Sequence, residues 1–407
     1  MSKIKVGIVR EGKIPHDLRV PFTPAQCKII LNEHPQVELK VQSSPYRCFT
    51  NAEYIAEGIT VTDDVSDCDI LIGIKEVPVQ ELIGGKTYMF FSHTIKKQPH
   101  NRKLLQAVVE KKITLIDYEC LTDESGHRII GFGRFAGIVG AYNGMMGYGL
   151  KYQLFNLKPA HLSHDKAEVF EHAREVRLPN VKIIITGGGR VANGAIETLG
   201  AMNIRKVTPF EFLHYSFREA VYAQLHSDDF HVRKDGTEGN KQEFYKHPEL
   251  YRSVFCDEGS YGAHCDILIH CSFWDTKAPL VFTREQMRGR NFRISMIADV
   301  TCDLNGSIPS TIKASDIENK FYGYNPETEK ISEPFENGCI TVMAVDNLPC
   351  ELPRDASDGF GKHLMERVLP ELFSSQKSDL ITRATITKSG MLTKPFEYLG
   401  DFAALQQ

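Results

Sequence analysis

The sequence predicts an α/β protein of two Rossmann-like domains, each a mainly parallel sheet flanked by helices. Three observations carry that prediction. Apolar, β-branched runs alternate with helix-like segments along much of the chain, the pattern of a parallel sheet. One run, Val181 to Thr186, breaks at three consecutive glycines and passes into a helix-like stretch, Val191 to Met202. The chain also has 407 residues, long for a single core and suited to two.

Taken in order, KIKVGIV, VELKVQ, DILIGIK, KTYMFFSH and ITLIDYE read as strands, with PAQCKIILNE and HNRKLLQAVVEKK as helices among them. An α/β unit therefore precedes the glycine turn. Between the two units lies Phe135 to Phe155, rich in small residues (Ala136, Gly137, Gly140, Ala141, Gly144, Gly147). It is a poor isolated helix, but its spacing suits a helix packed closely on its neighbours, as a connector between domains would be. After the turn, a short strand is expected near Arg205–Val207. His226 to Tyr251 reads as a polar surface excursion, a lid or spacer. DILIHCSF, ISMIADV and GCITVMAV then supply further strands, and a helix closes the chain near Phe360–Phe373.

The glycine turn is the strongest local signal. Gly187, Gly189 and Ala192 fit the G-x-G-x-x-A form of the dinucleotide fingerprint, with a strand before and a helix after. Glycines let the backbone approach a pyrophosphate, and the start of the helix offers it free N–H groups. Contacts to a nicotinamide dinucleotide are expected along Gly187, Gly188, Gly189, Arg190, Val191 and Ala192. The acid for the ribose is expected at Glu211, 22 residues beyond Gly189, although Pro209 interrupts the usual strand-to-acid pattern. Arg205 and Lys206 lie where they would serve a 2′-phosphate, so NAD and NADP both stay open.

Composition narrows the classes. Apolar content of 42% and charge of 25% are those of an ordinary soluble domain. A net charge of −4 gives no basic field for nucleic acid or anionic membranes. No apolar run approaches a membrane span, and MSKIKVGIVR passes straight into a strand, so a cytoplasmic location is expected. The ten cysteines form no C-x-x-C pair and read as buried, reduced thiols. Nothing in the residues assigns an oligomeric state.

Ligands of parallel α/β sheets sit beyond the carboxyl ends of strands. Lys75 follows DILIGI and His93 closes KTYMFFSH, so both fall there. A lysine after an apolar run is partly desolvated, which lowers its pKa and suits it to carry protons. Arg19 and Arg128 are candidates for carboxylate clamps, because a guanidinium matches two carboxylate oxygens. Asp303, just past ISMIADV, would face the nicotinamide side, although aspartate after a strand is also a good turn residue.

The stretches RVPFTP, IGIKEVP, KTYMFFSHTIKKQ, LIDYE, GFGRFAGIVGA, IADVTCDLNGSI and DNLPCELPRDAS run nearly end to end. Through them the chain resembles the lysine-forming saccharopine dehydrogenases, in the alanine dehydrogenase and transhydrogenase superfamily. It is especially similar to the lysine–ketoglutarate reductase half of the bifunctional enzymes. The resemblance implies a substrate domain from residues 1–135 and 345–407, a dinucleotide domain from 136–344, and an active site in the cleft between them. It implies that Lys75 and His93 are the acid–base pair and that Arg19 and Arg128 hold substrate carboxylates. Glu119 would lie close to the catalytic lysine, Phe132 would line the pocket, and Asp303 would sit near the nicotinamide.

The activity implied is an NAD(P)-dependent interconversion of saccharopine with L-lysine and 2-oxoglutarate, small-molecule partners alone. An alanine dehydrogenase shares the fold, but LIDYE with GFGRFAG and two arginines for a multiply carboxylated substrate argue against it. A nucleotide-binding sensor without turnover is a rival of another class, disfavoured by the joint presence of Lys75, His93 and Asp303.

Overall fold

The structure is a computed structural model and describes residues 3–376 and 378–404. The chain divides into two compact units, Met1–Phe132 with Pro353–Gln407, and Gly133–Leu352. In chain order the first unit supplies β1 Ile4–Ile8, β2 Val37–Gln42, β3 Thr60–Thr62, β4 Ile70–Ile72, β5 Thr87–Phe90 and β6 Thr114–Asp117. The second supplies β7 Lys182–Thr186, β8 Arg205–Val207, β9 Val221–Leu225, β10 His231–Arg233, β11 Tyr251–Ser253 and β12 Ile267–His270. It continues with β13 Met296–Asp299, β14 Phe321–Asn325, β15 Lys330–Ser332 and β16 Ile340–Met343. Strands β17 Thr385–Lys388 and β18 Met391–Leu392 return to the first unit.

In the first unit the sheet order is β18-β17-β6-β5-β4-β1-β2-β3. Strands β1 to β6 pair in parallel, and β17, antiparallel to β6, carries the edge strand β18. From β1 the chain winds one way through β2 and β3, then the other way from β4 to β6. The loops after β1 and β4 therefore flank the topological switch point, where such sheets open a crevice. Helices cover the sheet. The Pro24–Glu33 helix starts in a capping box between Thr23 and Gln26 with proline at its head. The Arg102–Glu110 helix buries Leu104, Leu105, Ala107 and Val108 on one face.

The second unit repeats the plan with the order β15-β14-β16-β13-β12-β7-β9-β8. Its switch point lies between β7 and β12. Near-continuous apolar strands such as Ile267-Leu268-Ile269 are fully buried, as a sheet covered on both faces requires. Among the described residues no helix is long and apolar enough to cross a membrane. None of the ten cysteines is in a disulfide, and seven of them are buried.

The glycine-rich segment after Phe132 forms the Gly133–Lys151 helix, buried along most of its length. It begins where the first unit ends and packs on the Arg190–Ala201 helix of its own unit. A Cβ on Gly137 would stand 1.8 Å from the Val191 carbonyl oxygen, and one on Gly194 would stand 1.9 Å from that of Arg134. The small residues are thus what lets the two backbones touch.

The excursion His226–Tyr251 is more built than its composition suggests. It holds the antiparallel pair β10–β11 and the short helices Ser227–Phe230 and Lys241–Lys246. Phe230, Phe244 and Tyr251 are buried, and the His231 ring stacks on Phe244 at 4.4 Å. Charged residues at the surface positions masked that aromatic centre from a reading by composition.

Candidate functional site

In the first unit, strand ends bring the predicted groups together. Strand β4 stops at Ile72, and Lys75 sits three residues beyond it, half-buried. The backbone there is held by Glu11, beyond the end of β1, whose carboxylate accepts from Ile74 N at 2.6 Å and Lys75 N at 2.9 Å. Burial lowers the Lys75 pKa, and the neighbouring cations Arg19 and Lys13 lower it further against Asp17 and Glu76. Burial and the charge of Asp17 push Glu11 up to about 8, against the two backbone bonds.

His93 follows β5, the neighbour of β4, in a left-handed conformation with φ of 53°. That region is costly for a side chain with a Cβ, so the surrounding contacts must hold it there. Its Nδ1 lies 2.6 Å from Glu76 Oε1, and the other oxygen of Glu76 meets Lys13 Nζ at 3.2 Å. Burial raises the Glu76 pKa, but the His93 bond and charge and Lys13 outweigh it and bring the carboxyl to about 2. An ionised Glu76 orients the imidazole and leaves Nε2 as the nitrogen for proton exchange.

Glu119 is buried after β6. Its Oε1 accepts from Arg128 at 2.8 Å and pairs with Lys96 at 3.2 Å, while buried Oε2 has no hydrogen-bond partner. Burial raises its pKa, yet Lys96, Arg128 and His93 together hold it below the usual range. It is Glu76, the residue after Lys75, that bonds the histidine. Asp117 joins the two strand ends by accepting from Ser92 N at 3.0 Å and Glu119 N at 2.7 Å.

Arg19 is buried, 2% exposed, with its fork turned onto Asp17 at 2.9 and 2.5 Å. Its guanidinium lies 4.1 Å from the centre of the Phe132 ring, which stacks on Phe360 at 4.5 Å. Arg128 remains partly exposed on Glu119. Sequence reasoning missed Glu11, Asp17 and Lys96. Glu11 was open to the strand-end rule that singled out Lys75; Asp17 and Lys96 lie in loops whose path no pattern shows.

Glu11 predicts a pH effect. Its folded pKa of about 8 stands above the ordinary 4.5, so the folded state holds the proton longer than the unfolded chain. The stability it confers is complete below pH 4.5 and is lost as pH rises toward 8. Melting temperatures across that range should fall less in Glu11→Gln than in the parent, and parallel curves would contradict the assignment.

In the second unit the turn after β7 has the shape a pyrophosphate needs. Gly187 has φ of +93°, and a Cβ there would meet the Cys271 carbonyl oxygen at 3.1 Å. Gly189 faces open space, with no atom within 4 Å of an added Cβ. The Arg190–Ala201 helix that starts after it has no side-chain cap, so its first N–H groups point outward. Arg190 is exposed and Val191 half-buried, whereas Ala192 is buried and serves packing. These features fit a dinucleotide phosphate. Gly189→Val should therefore weaken NADH or NADPH binding measured by titration, and unchanged affinity in a folded variant would refute the placement.

The ribose side differs from expectation. Strand β9, not β8, lies beside β7, with Leu225 in register with Thr186. Glu211 is the third residue of a helix begun by Thr208 and Pro209, and its carboxylate accepts from Thr208 N at 2.8 Å and Oγ1 at 2.9 Å. The spacing Thr-x-x-Glu with proline first is a capping box, a signal present in the sequence. His226 follows β9 instead, its ring 2.6 Å from a Cβ placed on Gly188. Lys206 bonds Gln224 at 2.9 Å, and Gln224 bonds Gly187 O at 3.0 Å, while Arg205 pairs with Glu219. Asp303 is exposed in the loop after β13.

Residues 7–139 match the family described as "Alanine dehydrogenase/PNT, N-terminal domain". Over 444 aligned residues the chain is 28% identical to an alpha-aminoadipic semialdehyde synthase of Arabidopsis thaliana, covering 97% of this chain and 41% of the relative. The chain spans less than half the length of the semialdehyde synthases it matches. A saccharopine dehydrogenase (NAD(+), L-lysine-forming) of Emericella nidulans is 24% identical, with 91% of this chain and 92% of the relative aligned. Among solved structures, an L-alanine dehydrogenase superposes with a TM-score of 0.64 at 15% identity, covering 98% of this chain and all of the other. Two doubly wound sheets and these matches agree: the chain resembles the saccharopine dehydrogenases and semialdehyde synthases, on the fold of the alanine dehydrogenase and transhydrogenase superfamily.

Proposed function

We propose that this chain is an NAD(P)-dependent oxidoreductase that interconverts saccharopine with L-lysine and 2-oxoglutarate. The observation that carries the reading is the pair at adjacent strand ends: after β4 a half-buried Lys75 of lowered pKa, and after β5 a His93 whose Nδ1 is held by Glu76. In the condensing direction the ε-amino nitrogen of lysine adds to the keto carbon of 2-oxoglutarate. Loss of water then forms a C=N bond, and a hydride at that carbon with a proton at nitrogen completes a secondary amine. A bound reduced nicotinamide supplies the hydride.

The chain's own groups handle the protons. Lys75, poised to be neutral more readily than a solvated lysine, takes a proton from the incoming ammonium or returns one to the carbinolamine oxygen as it leaves as water. His93 Nε2 exchanges the second proton, with Glu76 stabilising the charged imidazolium. Arg128, partly exposed beside Glu119, is placed to offer positive charge to a substrate carboxylate, whereas the Arg19 fork is turned inward onto Asp17 and lends only its field. Positive charge from two arginines suits a substrate with several carboxylates better than alanine.

The experiment is cofactor oxidation with two substrate pairs. NADH or NADPH should be consumed with lysine and 2-oxoglutarate. Consumption only with pyruvate and ammonium would make the chain an alanine dehydrogenase, and dinucleotide binding without turnover of either pair would make it a sensor. Running NADH and NADPH in parallel reads the cofactor preference in the same assay.

A further inference from the structure

In the second unit, three polar side chains stand in one row at the carboxyl ends of three central, largely apolar strands. Thr186 ends β7, His270 ends β12 and Asp299 ends β13, and His270 is in register with both neighbours. All three are buried, the histidine 1% exposed. An apolar residue would be cheaper at the end of Ile267-Leu268-Ile269, because a buried imidazole loses its hydration and must recover it in hydrogen bonds.

His270 recovers both. Its Nδ1 lies 2.8 Å from Thr186 Oγ1 and its Nε2 lies 2.8 Å from Ser307 Oγ. Cys271 N donates to the same Thr186 oxygen at 3.1 Å, an arrangement that suits a threonine hydroxyl proton directed at Nδ1 and a ring proton on Nε2 directed at Ser307. Burial lowers the histidine pKa against the charge of Asp299, which keeps the ring neutral and able to accept and donate at once.

The two partners belong to different loops. Thr186 is the last residue before Gly187, and Cys271, bonded to that threonine, places its carbonyl against Gly187. Ser307 belongs to the loop after β13 that carries Asp303. That loop is anchored at its two ends by Asp299, which accepts from Thr301 Oγ1 at 2.7 Å and Thr311 Oγ1 at 2.7 Å. A turn closes it in the middle, where Gly306 N donates to Asp303 O at 2.9 Å. Its stretch between those anchors is tied to the sheet through Ser307 and His270.

We propose that His270 is a positioning residue for the dinucleotide, bridging Thr186 and Ser307 so that the phosphate-cradling glycine turn and the Asp303 loop are held at one spacing. The proposal rests on the dinucleotide reading of the Gly187–Gly189 turn. It predicts that the turn and the loop act as one unit when the ligand binds.

The test is a set of NADH and NADPH titrations on purified full-length protein, with melting temperatures alongside. His270→Phe keeps the ring and removes both bonds, and should weaken dinucleotide binding about tenfold or more at a temperature where the variant is fully folded. Thr186→Val and Ser307→Ala should each weaken binding, and together should weaken it by less than the product of their separate effects. That coupling should vanish when the pair is made in the His270→Phe background. Parent-like affinity in folded His270→Phe, or effects of the Thr186 and Ser307 changes that simply multiply, would overturn the proposal. Should His270→Phe not fold, the Thr186 and Ser307 cycle alone decides the matter. A parent protein that binds neither dinucleotide would instead bring down the reading of the glycine turn, and this proposal with it.

Discussion

Lys75→Met should lower turnover with lysine and 2-oxoglutarate by about 100- to 10,000-fold, the usual contribution of a general acid–base group. Dinucleotide affinity should stay near that of the parent, because the glycine turn belongs to the other unit. The case rests on position and environment together. Lys75 stands at the β1/β4 switch point, its backbone pinned by Glu11, its amine half-buried among Arg19, Lys13, Asp17 and Glu76. Methionine matches the four-atom stem of the lysine side chain, with sulfur in place of one methylene, and lacks the titrating nitrogen. His93→Gln should have a comparable or smaller effect, since water can replace one member of a relay. If the two residues serve only the fold, both changes should lower the melting temperature and reduce turnover only as far as folded protein is lost. Near-normal turnover in Lys75→Met ends the catalytic assignment whatever the stability.

The second large effect is expected from a single methyl group. Gly194→Ala places a Cβ 1.9 Å from the Arg134 carbonyl oxygen, and that obstacle is backbone of a buried helix. Neither helix can yield locally: Thr198 Oγ1 bonds Ile138 O at 2.9 Å one turn further along, fixing their separation. The change should destabilise the second unit by about 1 to 3 kcal/mol or more, the range for overpacking a close contact. Gly200, six residues later in the same helix, has no atom within 4 Å of an added Cβ. Gly200→Ala should therefore stabilise by about 0.5 to 1 kcal/mol, the helix-propensity difference. Chemical denaturation of the two variants checks both signs, and an equal response would show that helix propensity, not the contact, decides at these positions.

Each side of the fold was legible to a different degree. The strands β1, β2, β4 to β7, β12, β13 and β16 were visible from their apolar residues: β12, β13 and β16 are buried on both faces and have little choice of residue, while β2 alternates buried and half-buried positions. Strands β3, β9, β14, β15, β17 and β18 were not, being short or mixed in character. Missing β9 mattered most: it occupies the place beside β7 where the ribose acid was sought, and Glu211 was assigned that task instead of the helix cap it forms. The Thr208-x-x-Glu211 spacing carries that cap in the sequence itself.

What the sequence determined by itself was the local chemistry: a strand, a glycine turn and a helix for phosphate, and a lysine and a histidine at the ends of neighbouring apolar runs. Those signals are short-range, since backbone freedom at Gly187 and desolvation at Lys75 depend on residues a few positions away. Only the tertiary structure decided the partners. Glu11 reaches Lys75 across 64 positions, Asn143 meets Glu351 across 208, and His270 joins Thr186 across 84. Strand order sets such pairings, and strand order follows from which crossovers bury the most apolar surface, a property of the whole sheet that no single stretch contains.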